Sequence, residues 1–160
     1  MDKEEARQQI IKLLNETQEL IPDKLVPNLD PLEGFPEAPD WHQFEHDIWN
    51  NGETIRQLLK TNKYLLSDKM ILERIVSICL NRNAKRGRQS FIMLLWNKHG
   101  RQFSNKLVEH LDDKCVDGHI IEGLNKMKID GYVSLVQPFC NDKVNWIRKQ
   151  AIKYVETFKK

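Results

Sequence analysis

The stretch Leu107-Val108…Leu111…Val116…Gly123-Leu124…Met127 is echoed by Leu135-Val136…Phe139…Val144…Ala151-Ile152…Val155. Each pair of positions is 28 apart (135 − 107, 144 − 116, 151 − 123), and apolar or small residues fall on apolar or small residues throughout. A recurrence of this length is the mark of a helical hairpin that cannot bury its apolar face alone and stacks on its neighbour. The spacing within each copy is helical. Val144, Ile147, Ala151, Tyr154, Val155 and Phe158 fall on one stripe, and Phe103, Leu107, Val108 and Leu111 make another.

Working toward the N-terminus, the same period persists. Helices are predicted over roughly 118–128 and 131–140, opened by Asp117 and Asp130. Phe91 to Trp96 is an apolar run read as a buried helix. Ser67 is expected to cap a central helix through Met70, Ile71, Ile75, Val76 and Cys79. Trp41, Phe44, Ile48 and Trp49 mark a helix that Asp40 opens and Asn51-Gly52 ends, followed by a short helix at Ile55, Leu58 and Leu59. Glu4 to Leu20 reads as an amphipathic helix with Ile10, Leu13, Leu14 and Thr17 on its apolar face. No segment alternates like a half-buried strand. The 160 residues suit a single domain: a helix over 1–20, an arm over 21–40 and a helical-repeat body over 41–160.

The arm holds five of the six prolines, Pro22, Pro27, Pro31, Pro36 and Pro39, so it is expected to be neither helix nor central strand. It also holds Leu25, Val26, Leu29, Leu32 and Phe35, which predicts that it docks along the body and buries them.

Net charge is +2, unevenly placed. Residues 1–40 hold 4 basic and 10 acidic side chains (−6), and the remainder 21 and 13 (+8). From Arg74 to Val108 there is no acid at all. Arg82, Lys85, Arg86 and Arg88 fall in one predicted loop, and Lys98 and Arg101 in the next connection. These six are the candidate binding residues, since clustered cations take up an acidic protein surface or a phosphate backbone.

Asp142-x-x-x-x-Ile147-Arg148-x-x-Ala151-x-x-x-Val155 resembles the second helix of a HEAT repeat, in which an Asp opens the helix and a hydrophobic-Arg pair precedes a small residue. Pro138 stands where first helices of that family are often kinked. The resemblance is best over 107–158 and implies an all-α stack of helical hairpins, an α-solenoid of the HEAT and armadillo kind. It further implies a non-enzymatic protein-binding surface without a cofactor, or, as in some DNA glycosylases of HEAT-like fold, a nucleic-acid groove. Arg148 is expected to tether one hairpin to the next.

Metal chemistry has one sequence candidate. His42-Gln-Phe-Glu45-His46 fits H-x-x-E-H, in which two histidines share a metal and the Glu acts as base. The run His110 to His119, with Asp112, Asp113, Cys115 and Asp117, is read as a polar turn between hairpins. Phosphate loops, nucleophile elbows and dinucleotide fingerprints are absent from the sequence. Cys79, Cys115 and Cys140 are widely spaced and expected to be free thiols. The acidic N-terminus and the lack of a long apolar run predict a cytoplasmic protein that does not enter membranes.

Overall fold

The structure, a computed structural model, describes the backbone of all 160 residues and the side chains of all but residues 36–39. Pro36 and Pro39, read above as part of the arm, lie in that range and their side chains fall outside the described set. Apart from one short ribbon the fold is helical. The length read as one domain forms two compact units, Met1–Leu94 and Leu95–Lys160.

In the first unit, α1 (Lys3–Leu20) opens with a capping box: Asp2 Oδ1 accepts from Glu5 N at 2.8 Å and Glu5 Oε2 from Asp2 N at 3.2 Å. Its Ala6, Ile10, Leu14 and Thr17 are buried at helical spacing. They pack on α2 (Gln43–Thr61), which also carries the turn Arg82–Gly87 and α4 (Arg88–Met93). α2 runs straight through Asn51-Gly52, against the expected stop. The reason lies across the interface. A Cβ at Gly52 would overlap Ser90 Oγ and stand 2.8 Å from Ser90 Cβ, so this glycine admits α4 rather than ending a helix. α3 (Lys69–Cys79) is capped by Asp68, not Ser67: Asp68 Oδ1 accepts from Ile71 N at 3.1 Å, and its Oδ2 pairs with Arg7 of α1 at 2.9 Å. Arg74 donates to Asn15 Oδ1 and Gln18 Oε1 of α1, at 2.7 and 2.8 Å. The apolar run Phe91–Trp96 is largely buried, but only its first half is the helix expected: α4 ends at Met93, with Phe91 and Ile92 fully enclosed.

Between α1 and α2 the arm makes a two-stranded antiparallel ribbon, which the sequence reading did not foresee. β1 (Pro31–Leu32) pairs with β2 (Phe35–Pro39), and Leu32 lies opposite Phe35. Gly34 sits in the turn at φ +79°, a conformation that glycine adopts freely.

The second unit contains α5 (Ser104–Leu107) between 3₁₀ turns, α6 (Asp117–Lys126), α7 (Val133–Val136) continued by a 3₁₀ turn over Gln137–Asn141, and α8 (Asn145–Phe158). α8 packs on α6 and on the α7 segment. At Gly118 the contact is close: a Cβ there would overlap the Trp146 ring and stand 2.7 Å from Ile147 Cγ1. Asn125 Nδ2 donates across the same interface to Gln150 O at 2.9 Å. Gly123 lies against the Trp96 indole. Arg148 does not reach another hairpin. It donates to Asp142 O and Asn145 Oδ1 nearby in the chain, both at 2.8 Å.

The 28-residue offset holds for part of the core. Val108 and Val136, Gly123 and Ala151, and Met127 and Val155 are buried in both copies. Leu107 and Leu124 are buried, whereas Leu135 and Ile152 are exposed. The difference follows from the packing. Gly118, Ile121 and Asn125 lie on the side of α6 that α8 covers. Their counterparts on α8 are Trp146, Lys149 and Lys153, all exposed.

Candidate functional site

The basic loop after α3 is built from Asn81 to Arg88. Asn81 Oδ1 accepts from Asn83 N at 3.1 Å and starts the turn. Lys85 then takes φ +51°, ψ −129°, a conformation strained for any residue with a Cβ. This reversal turns Lys85 inward to 5% exposure and its carbonyl toward Arg88, whose Nε donates to it at 2.9 Å. Arg88 is 0% exposed. Two of the four loop cations therefore present no charge at the surface, which corrects their reading as binding residues. Arg82 and Arg86 are half-buried, and the Arg86 N–H donates to Glu45 Oε1 at 3.0 Å. Lys98 and Arg101 are exposed in the second unit, where the Arg101 guanidinium donates to the Met127 carbonyl.

What the loop holds is the arm. Asn83 Nδ2 donates to Pro22 O at 3.0 Å, Lys85 Nζ to Val26 O at 3.0 Å and His42 Nε2 to Pro27 O at 2.8 Å. A carbonyl only accepts, so the His42 ring carries its hydrogen on Nε2. An extended, proline-rich chain makes no internal hydrogen bonds, and its carbonyls are open to such donors. The arm is thus fixed by its backbone, not by its apolar side chains. Leu25 is 61% exposed and Phe35 65%, and Leu29 and Leu32 are also exposed. This overturns the expected burial in a groove for four of the five residues; Val26 is half-buried. Cross-strand partners share a face of a ribbon, so Leu32 and Phe35 form one exposed apolar tip.

The H-x-x-E-H residues are structural. Glu45 is buried, and its two oxygens accept from His42 N at 2.8 Å and Arg86 N. This seals the start of α2 and engages both oxygens of the carboxylate. His42 holds the arm, and His46 stacks on Trp41 at 5.1 Å. Among the described residues no group of three or more His, Cys, Asp or Glu is placed to hold a metal.

The run from His110 to His119 is likewise packed. Lys114 bridges Asp117 and Asp142 at 3.1 and 3.2 Å. His119 lies between Trp96 at 6.5 Å and Trp146 at 5.3 Å, and burial pushes its pKa down to about 4. Burial raises the pKa of the Cys79 thiol and favours its protonated form. Among the described residues no helix is long and apolar enough to cross a membrane.

No family model, no curated protein and no solved structure matches the chain.

Proposed function

We propose that this chain is a non-enzymatic protein-binding module, a stack of helical hairpins of HEAT-like kind that displays the proline-rich arm as its recognition element. The observation that carries the reading is the arm's combination of a fixed backbone and exposed large apolar side chains. Contiguous exposed apolar surface on a soluble chain marks an interaction site. Fixing the backbone beforehand lowers the ordering cost of binding. The basic loop, first read as the binding surface, supports the arm from behind. The partner's charge is reversed accordingly: residues 21–40 carry five acids and one lysine, which repel phosphates and suit a basic protein surface.

The test compares wild type with the triple variant Leu25→Ser, Leu29→Ser and Phe35→Ser in cross-linking from the native host. A partner bound by wild type and lost by the variant, with helical content unchanged by circular dichroism, is the expected result. The same proteins captured by both would overturn the reading.

A further inference from the structure

The arm is not alone in exposing large apolar side chains, and a second such surface carries the opposite charge. On α8, Trp146, Lys149 and Ile152 follow at i, i+3 and i+6, with Lys153 beside Lys149; Trp146 rests one edge of its ring on Gly118 and His119 and leaves the rest in the open. Trp146 is 42% exposed and Ile152 44%, and both lysines are exposed. Residues 141–160 hold six basic and two acidic side chains (+4), against five acids and one lysine (−4) over 21–40.

We propose that the arm's partner is a second copy of this chain: Leu32 and Phe35 of one copy pack on Trp146 and Ile152 of another, with Asp30 and Glu33 facing Lys149 and Lys153. The inference rests on the arm being a binding surface and adds the identity of what it binds. The contact joins two unlike surfaces. An isologous pairing of arms would bring acid against acid, and one of α8 faces would bring lysine against lysine; like charges opposed at an interface are costly. The arm-to-α8 arrangement alone satisfies both the apolar and the charged groups.

Sedimentation equilibrium of the full chain tests this with two charge-reversal variants, Asp30→Lys/Glu33→Lys and Lys149→Glu/Lys153→Glu. All four side chains are exposed, so both variants should fold; if circular dichroism shows otherwise, the corresponding serine pairs replace them. Wild type should self-associate, less so in high salt. Each variant alone should associate roughly tenfold more weakly or worse, because each opposes like charges at its own contact. Mixed in equal amounts, the two variants should associate again, because the reversed arm of one meets the reversed α8 of the other. Wild type that stays monomeric at every soluble concentration overturns the proposal, as does association unchanged by either reversal or a mixture that fails to associate. A monomeric wild type that still loses a cross-linked partner when the arm residues become serine overturns only the second copy. Failure of both experiments removes the arm as a binding surface altogether.

Discussion

Gly52 shows how one atom decides the path of a helix. In isolation a glycine inside a helix costs about 1 kcal/mol relative to alanine. Here the missing Cβ is what lets α4 lie against α2, since it would overlap Ser90 Oγ and crowd Phe91 at 3.0 Å. Gly52→Ala therefore sets a helical gain of about 1 kcal/mol against overpacking of about 1–3 kcal/mol, and the loss wins. Thermal denaturation should show a lowered midpoint, and Ser90→Gly in the same chain should recover most of it. If the double variant is no better than the single one, the two residues do not touch. His119 offers a second measurement. Its folded pKa of about 4 lies below the ordinary 6.5 because burial between Trp96 and Trp146 disfavours the imidazolium. Between those two values the unfolded chain binds the proton and the folded chain does not. Its effect is therefore nil above about pH 6.5, and stability falls as pH drops toward about 4. The whole loss is at most about 3 kcal/mol, less to the extent that the ring meets water. His119→Leu should flatten the melting profile over that window relative to wild type. Equal slopes in the two proteins would place the acid sensitivity elsewhere.

Among the elements, those whose apolar stripe meets one neighbour were legible from the sequence: α1, α3 and α8 lie within a residue or two of their predicted bounds. Their 3.6-residue spacing is a local signal, and packing reinforces it. The elements that escaped prediction depend on what lies opposite. Asn51-Gly52 looks like a helix end until Ser90 is known to lie against it. Leu25, Leu29, Leu32 and Phe35 look like core until three donors fix the same segment by its carbonyls and leave the side chains outward. Hydropathy registers the leucines, but nothing in a sequence registers which carbonyls find donors. The candidate site suffered in the same way. The cation cluster was visible, but the reversal at Lys85 that buries two of its members was not. Lys85 carries both costs and gains at one position, and its variants separate them. Lys85→Ala keeps the strained φ of +51° and loses the Nζ bond to Val26, so it should lower the melting point. Lys85→Gly loses the same bond but relieves strain of about 1–3 kcal/mol, so it should melt higher than the alanine variant. In both, amide exchange over the arm should quicken. If glycine and alanine melt alike, the positive φ carries no strain.

At the scale of the whole molecule, the acidic first quarter of the chain does two separate jobs. α1 contributes Ala6, Ile10 and Leu14 to the core at 0% exposure, whereas the large apolar residues of the arm stand in water. Burying each of two or three large side chains contributes about 1.5–3 kcal/mol, comparable in sum with much of a domain's net stability of about 5–15 kcal/mol. Exposed side chains contribute within about 0.5 kcal/mol each. Residues 1–40 thus divide at the end of α1: the first half completes a core, and the second leaves its apolar side chains for a contact. Two variants of similar lost hydrophobicity should then differ sharply. Ile10→Ser with Leu14→Ser should unfold Met1–Leu94, seen as loss of amide protection in α2 and α3. Leu25→Ser with Phe35→Ser should leave protection and melting temperature unchanged while lowering the binding of a hydrophobic dye to the native protein. A drop in melting temperature for the arm variant, of the size seen for the α1 variant, would show that the arm belongs to the core in solution. That result would remove the basis for the arm as a recognition element, because a side chain cannot both hold the fold together and be free to leave it for a partner.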